Sequence, residues 1–224
     1  MDSGCKSGQR QSVKQSLAER VYDHICQKIA EGELRQGEKI TELGLCGGLD
    51  ISRAPVREAL RRLAEDHIVV LVPRSSCFVA TLSGEEIKEI YEIREYLECM
   101  ALRHAFDNIE AKEARELQSE FKKCLKLDNS EFIREGVKLD VRLHKLIIDK
   151  AACSNLEILL NKITSRLQIF RKMTFDSVER AQAALNEHVE VLEGIIKKDK
   201  RRSINALKKH IRHSRNNMLA TNKE

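Results

Sequence analysis

Tryptophan is absent from this chain of 224 residues, and proline occurs only twice. Aromatic residues make up 4% of the sequence, whereas charged residues make up 33%. This composition favours long helices with charged outer faces over a β-rich domain. Hydrophobic residues still account for 42%, so the chain can bury a core.

Cysteine pairs and long hydrophobic runs are missing as well. The seven cysteines are scattered singly with no C-x-x-C spacing, which argues against a zinc ribbon or a disulfide scaffold and indicates a reducing compartment. No apolar run approaches the ~18–20 residues that span a membrane, and the N-terminus lacks the apolar core of a signal peptide. We therefore expect a cytoplasmic protein that is not associated with a membrane.

The N-terminal third has the element order of a winged helix-turn-helix. Residues 1–15 are polar and are expected to form a flexible arm. Three helices are predicted next. Apolar residues recur at helical spacing in the first and third, and Thr41 and Ser52 are expected to cap the second and third. Two short β-like runs joined by a polar turn follow and indicate a hairpin. The predicted elements are helices over 17–31, 41–49 and 52–66 and strands over 68–72 and 77–81.

The third predicted helix carries a basic face. Arg53 and Arg57 lie one turn apart, and arginine can bond guanine O6 and N7 together in the major groove, which admits one helix. The neighbours Ser52 and Ala54 are small and would allow close approach to DNA. Arg61 and Arg62 lie further along the helix, where phosphate contact is more usual. The same charge pattern is also compatible with an ordinary solvated surface helix. The candidates for DNA contact are Ser52, Arg53, Ala54, Arg57, Arg61 and Arg62.

From residue 83 onward the sequence has only helical periodicity. Ser83 and Glu86 have the spacing of a capping box, which opens a long helix. The helices predicted after this point cover 84–107, 110–127, 131–151, 155–172, 177–198 and 200–219. The predicted fold is therefore mainly α, with a winged helix-turn-helix domain over 16–82 and an all-α helical bundle over 83–222.

Four polar residues interrupt apolar stripes in this second half. Asp140 and His144 lie one turn apart, so a carboxylate and an imidazole could chelate one cation. His188 and His210 interrupt the apolar stripes of two later helices. A divalent cation would offset the cost of burying the carboxylate. The alternative is structural: an ion pair on one helix and hydrogen-bonded core histidines on the others.

Arg94 also lies on an apolar stripe, in the long helix that begins after Ser83. A buried guanidinium is costly unless it is paired, and it can hold a carboxylate through two parallel hydrogen bonds. The partner could be an acidic ligand. It could equally be Glu98, one turn further along the same helix.

The segment at 51–63 reads Ile-Ser-Arg-Ala-Pro-Val-Arg-Glu-Ala-Leu-Arg-Arg-Leu and resembles the recognition-helix signature of the GntR family of bacterial regulators. Segments 37–42, 72–74 and 78–79 resemble the family's entry into the second helix and its wing. The resemblance implies that Arg53 and Arg57 contact bases and that the wing tip, with Arg74 and Ser76, enters the minor groove. His67 and the serines at 75–76 replace glycines that are usual in the family.

The rest of the chain resembles the FadR-like (FCD) branch of that family. Asp140-x-x-x-His144, His188 in Asn-Glu-His, and His210 follow the branch's metal-binding pattern in order. The resemblance implies a divalent transition metal, with Zn, Ni, Fe and Mn all compatible with three imidazoles and one carboxylate, and open positions for an effector carboxylate. It also implies that Arg94 and Asn155 contact the effector.

These observations predict a homodimeric, ligand-responsive transcriptional regulator, a repressor rather than an enzyme. It would bind a pseudo-palindromic operator in double-stranded DNA and sense a small organic acid. One alternative is a metal-dependent, hydrolase-like enzyme with a DNA-binding appendage, since open metal positions permit hydrolysis. Another is a non-sensing architectural protein in which the four polar residues only stabilise the fold.

Overall fold

The computed structural model describes residues 15–72, 76–171 and 178–221. It confirms the predicted fold class, since helices dominate and the strands are few and short. The arm expected at 1–15 lies outside the described residues except for Gln15, and the domain ranges stay predictions. The helices are α1 (Leu17–Ala30), α2 (Glu42–Leu49), α3 (Arg53–Glu65), α4 (Gly84–Ala105), α5 (Ala111–Cys124), α6 (Asn129–Ala151), α7 (Ser154–Arg171), α8 (Val178–Ile196) and α9 (Lys200–Thr221); the strands are β1 (Lys39–Ile40), β2 (Val69–Val72) and β3 (Ser76–Val79).

The first three helices bury the apolar faces that the sequence spacing predicts. Ser16 opens α1 with a capping box to Glu19, which the sequence analysis did not identify. Thr41 caps α2 as expected, because its hydroxyl accepts a hydrogen bond from the amide of Gly44. The side chains that α1 and α3 bury against each other include Val21, Ile25, Ile29, Val56, Leu60 and Leu63.

The expectation that the Ser52 side chain caps α3 is wrong. Ser52 occupies the N-cap position with extended backbone angles, but its hydroxyl makes no capping hydrogen bond. Pro55 lies in the first turn of α3 and has no amide hydrogen to satisfy, which lowers the number of donors that a cap would need to accept.

A small antiparallel sheet follows α3, with the strand order β1-β3-β2. The predicted hairpin is present as β2 and β3, in which Val70 pairs with Phe78. β1 was not predicted, because two residues are too few to give an alternating pattern. Ile40 of β1 is buried and pairs with Cys77, so β1 attaches the start of α2 to the sheet.

His67 follows Asp66, the C-cap residue of α3, and lies in the left-handed region with φ +55°. This is the conformation that glycine adopts most easily, and a side chain there carries a conformational cost. His67 therefore adopts the positive φ that a glycine at this position would reach without that cost.

The six later helices pack around one another and place the candidate site between them. α4 packs on α6, α7 and α9, and α8 packs on α5 and α9. α8 and α9 approach closely at Gly194, where a Cβ would lie 2.3 Å from Ser203 Oγ. α7 also contacts α1, so the two halves share packed contacts. Among the described residues, no helix has both the length and the apolarity needed to cross a membrane.

Candidate metal centre and nucleic-acid surface

The four residues expected to bind metal lie together in the helical half. Asp140 and His144 project from one face of α6, His188 projects from α8 and His210 from α9. All four are buried, and both His188 and His210 are 0% exposed. We call these four residues the buried cluster. One nitrogen or oxygen atom from each of them lies within 4.8 Å of the others.

The carboxylate of Asp140 is the common point of the buried cluster. Its Oδ1 atom lies 3.3 Å from Nε2 of His188, 3.8 Å from Nε2 of His144 and 4.0 Å from Nε2 of His210. The rings of His188 and His210 lie 4.1 Å apart between centroids. All three imidazoles therefore turn their Nε2 atom toward Oδ1 of Asp140.

This arrangement fits a divalent transition metal. Nitrogen and oxygen ligands bind such ions at ~2.0–2.2 Å, so two ligands of one ion lie roughly 3 to 3.5 Å apart. The distances around Asp140 Oδ1 are close to that range before any side chain adjusts. Three imidazoles and one carboxylate also match the ligand preference of zinc, nickel and iron rather than that of magnesium or calcium.

Two buried glutamates face the far side of the imidazoles. Glu98 of α4 places Oε2 2.6 Å from Nδ1 of His144. Glu187 of α8 places Oε2 3.0 Å from Nδ1 of His210. A carboxylate on the second ring nitrogen of a metal-binding histidine fixes the orientation of the ring and raises its basicity. The hydrogen bond from Glu187 therefore holds His210 with Nε2 directed at Asp140, whereas Glu98 lies beside Nδ1 of His144 as an ion-pair partner.

Glu187 is a functional candidate that the sequence analysis missed. Besides His210, it contacts Nδ1 of His213 at 2.6 Å and the guanidinium of Arg180 at 3.3 Å. Glu187 is 6% exposed, and these three partners offset the cost of burying its carboxylate. One signal was available, because Glu187 lies on the buried face of α8 three residues after Ala184.

Arg94 forms the ion pair that the sequence left open as an alternative. Its Nε atom bonds Oε1 of Glu98, and one terminal nitrogen lies 3.3 Å from Nε2 of His144. Burial alone would lower the pKa of Arg94, but the neighbouring Glu98 outweighs it and raises that pKa. Burial likewise raises the pKa of Glu98, and Arg94 and His144 together bring it down to about 2. Both groups are therefore charged beside the buried cluster.

Asn155 lies elsewhere. It is exposed in the first turn of α7, on the surface rather than among the buried side chains. A contact between Asn155 and an effector stays a prediction.

The basic face predicted for α3 is exposed. Arg53, Ala54, Arg57 and the hydroxyl-bearing Ser52 are all open to solvent. Arg53 makes no ion pair with any described residue, whereas Nε of Arg57 bonds both carboxylate oxygens of Glu42, at 3.1 and 2.9 Å. The side chains of Arg53 and Arg57 line one groove of about 530 Å³ between α2, α3 and the sheet.

The two later arginines differ from each other. Arg61 is exposed and pairs with Glu65, one turn along α3. Arg62 is half-buried over the ring of Tyr22, with the guanidinium carbon 5.3 Å from the ring centroid. Tyr22 in turn donates a hydrogen bond to Asp66 at 2.8 Å. Arg62 therefore packs α3 against α1, a structural role in addition to its predicted contact with phosphate.

Of the two residues predicted for the wing tip, only Ser76 belongs to the part of the chain that the structure describes. Ser76 begins β3 and pairs with Val72. Arg74 lies outside the described residues, so its contact with DNA stays a prediction.

Two family models match this chain, and they cover separate parts of it. The model of bacterial regulatory proteins of the gntR family matches residues 17–79. The model of the FCD domain matches residues 89–213, which is more than half of the chain.

The relatives with similar sequences are named as transcriptional regulators, and the match covers most of their length. The chain is 27% identical over 195 residues to the uncharacterized HTH-type transcriptional regulator YdhC of Bacillus subtilis, covering 87% of each chain. It is 22% identical to the HTH-type transcriptional repressor RspR of Escherichia coli, covering 83% of this chain and 81% of the relative. Its fold is similar to that of E. coli McbR/YncC, with a TM-score of 0.71 at 20% identity over 89% of this chain and 95% of the other.

Proposed function

Because this chain belongs to the GntR family of bacterial regulatory proteins and carries an FCD domain, we propose that it is a homodimeric repressor that binds operator DNA in the cytoplasm. It responds to a small organic acid through a divalent metal ion held by the buried cluster. The observation that carries the proposal is the combination of an exposed pair of arginines on α3 with four converging ligands in the other half.

The exposed face of α3 supports base recognition. Arg53 and Arg57 lie one turn apart beside the small side chains of Ser52 and Ala54, so nothing bulky blocks close approach to base edges. Arg61 is positioned further along α3, where the helix would leave the groove and meet phosphates.

Selection of duplexes from a random library with the full chain tests DNA recognition. The enriched site should be pseudo-palindromic, with half-sites about one helical turn apart. Arg57→Ala should lose the preference for the selected site. Arg134→Ala, which removes the same charge from an exposed position on α6, should keep it. Equal binding of selected and random duplexes by the unmodified chain would contradict the proposal.

The buried cluster supports metal binding, because its four ligand atoms already point at one another from three helices. Asp140, His144, His188 and His210 would hold the ion, while Glu187 orients the ring of His210 and Glu98 lies against that of His144. The ion would supply a Lewis-acidic position at which an acidic effector can bind.

Arg94 supports recognition of a carboxylate. Its guanidinium lies beside His144 and is already charged and buried, so an acid bound there would meet a positive group in a low-dielectric site. The acid would have to share Arg94 with Glu98. Thermal-shift screening of small organic acids, with and without added metal, tests this. An acid should raise the melting temperature of the metal-loaded chain and leave Arg94→Lys less affected.

A packed path connects the two halves. α7 contacts both α4, which carries Arg94, and α1, which packs on α3. An acid that shifts α4 relative to α7 would move the recognition helix through α1. Such a shift occurs only to the extent that the acid binds the two arrangements with different affinity.

An exposed apolar stripe on α4 supports self-association. Ile93, Tyr96 and Met100 share one face of α4, and Tyr96 is 71% exposed. Glu89 lies two turns before Tyr96 and Arg103 two turns after it, and neither forms an ion pair with a described residue. In an antiparallel pair of α4 helices centred on Tyr96, each Glu89 would meet the Arg103 of the other copy. The stripe is therefore self-complementary in charge, as a two-fold interface requires.

Sedimentation equilibrium of the full chain tests this interface. The unmodified chain should be a dimer, and Tyr96→Asp should shift it toward monomer at the same concentration. Val70→Asp changes an exposed apolar residue of β2 in the same way and should leave the dimer intact. A monomeric wild type would overturn the dimer, and a dimeric Tyr96→Asp would overturn this face.

The hydrolase alternative is not favoured, because the family and the named relatives are transcriptional regulators.

A further inference from the structure

The two arginines of the proposed reading face differ in one respect. The Nε atom of Arg57 donates hydrogen bonds to the carboxylate of Glu42, whereas Arg53 is not paired with any described residue. The groove that both of them line also includes the side chain of Glu42. A carboxylate is an unfavourable neighbour for DNA phosphates, so its position beside a reading arginine needs a reason.

Glu42 is firmly placed, and Arg57 is long. Two anchored residues precede Glu42. The hydroxyl of Thr41 caps α2, and Ile40 is buried and paired with β3. Arg57 is exposed over 63% of its side chain and would otherwise sample several rotamers. The ion pair therefore holds the long side chain of Arg57 against Glu42, whose backbone is anchored.

The geometry of the contact leaves one edge of the guanidinium available. Glu42 takes the Nε side, at 3.1 and 2.9 Å. The two terminal nitrogens remain for an end-on, bidentate contact, which is the geometry that guanine O6 and N7 require. A guanidinium held in this way meets a guanine without losing further rotamer entropy.

We infer that Glu42 is the positioning residue for Arg57 and sets base specificity in this chain: it orients the arginine end-on toward guanine and lowers affinity for DNA of other sequence. The inference rests on the proposed DNA-binding function. Removing the carboxylate should have two effects of opposite sign. Binding to random duplex should rise because a negative charge is gone, while preference for the selected site should fall because Arg57 is no longer oriented.

Fluorescence anisotropy with the selected duplex and a random duplex tests the inference in the full chain. Glu42→Gln should bind random DNA a few-fold more tightly and should lose about ten-fold in preference at the base pair that depends on Arg57. Glu58→Gln is the matched control, because Glu58 is exposed on α3 and pairs with no described residue. It should raise random binding alone.

Glu42→Asp separates charge from position. Aspartate keeps the charge but is one methylene shorter, so preference should fall with no gain in random binding. In an Arg57→Ala background, Glu42→Gln should cause no further loss of preference. If Glu42→Gln keeps the wild-type preference while Arg57→Ala loses it, the inference is wrong and the proposed function stands. If Arg57→Ala itself loses nothing, the proposed base reading is wrong.

Discussion

The face of α3 and the buried cluster use charged groups under opposite conditions. Arg53 and Arg57 are exposed to water, and the ion pair that orients Arg57 beside Glu42 adds little to the stability of the free protein. Asp140 and Arg94 are enclosed by helices, so each charge there must be matched by a partner. Changes on α3 should therefore affect binding and leave stability intact, whereas changes around the cluster should affect both.

The largest effect is expected at Arg94. Arg94→Ala leaves Glu98 buried without its main cation, and breaking a buried pair in this way costs about 3 to 5 kcal/mol. The melting temperature of a chain of this size should fall by about 6 to 20 °C. Differential scanning calorimetry measures it, with the exposed Arg134→Ala as control. A melting temperature equal to wild type would mean that the two regions do not differ as described.

Metal removal should come next. An ion present at one hundred times its Kd stabilises the folded state by about 2.7 kcal/mol. Chelation should therefore lower the melting temperature by about 5 to 10 °C, and added zinc, nickel or manganese should restore it. Asp140→Asn should show no response to either treatment. A wild-type chain indifferent to chelator and metal would count against the metal site.

A smaller effect is expected from Glu187, because it acts through His210 rather than on the ion. Glu187→Gln should weaken metal affinity by about 10- to 100-fold, as found for carboxylates that orient metal-binding histidines. Titration with a competing chelator measures the affinity. His213→Gln, which removes the outer partner of Glu187 and leaves His210 in contact, should change it less. Equal losses in both variants would contradict the assigned role.

The exposed arginines should change binding alone. Arg53→Ala should cost about 1 to 3 kcal/mol of discrimination at the base it reads, while the free energy of unfolding changes by less than about 0.5 kcal/mol. Anisotropy and chemical denaturation on the same preparation give both numbers. A marked loss of stability would show that Arg53 supports the fold, which would erase the contrast with Arg94.

The smallest effect distinguishes two serines at helix starts. Ser83→Ala removes a capping box and should cost about 1 kcal/mol. Ser52→Ala removes a hydroxyl that makes no capping bond, so it should be nearly neutral in stability. Equal costs for the two substitutions would mean that Ser52 caps α3 in solution after all.

Sequence spacing predicted what depends on local periodicity. The buried faces of α1 and α3 follow from apolar residues three and four apart, and Asp140 and His144 share a face of α6 for the same reason. The fold class was predicted for this reason too. Periodicity placed all four ligands on buried faces but left a metal site and structural pairs as alternatives, and the family pattern favoured the metal site.

Contacts between distant polar residues were not predictable from spacing. Glu42 meets Arg57 only because α2 and α3 pack together, and Glu187 meets His210 only because α8 and α9 approach at Gly194. Helical spacing can place Glu187 on the buried face of α8, but it does not identify a partner on another helix, and an acidic residue at a helix position is usually solvated. β1 was missed because its pairing with β3, rather than its own sequence, makes it a strand.

The metal content of the intact chain tests the central claim most directly. Mass-spectrometric element analysis should find close to one transition-metal ion per chain in the wild type and in His104→Gln, an exposed histidine of α4. The same purification should leave Asp140→Asn nearly free of metal while it remains folded. Equal metal in all three proteins, or none in the wild type even after incubation with zinc, nickel, iron and manganese, would contradict a metal centre between α6, α8 and α9.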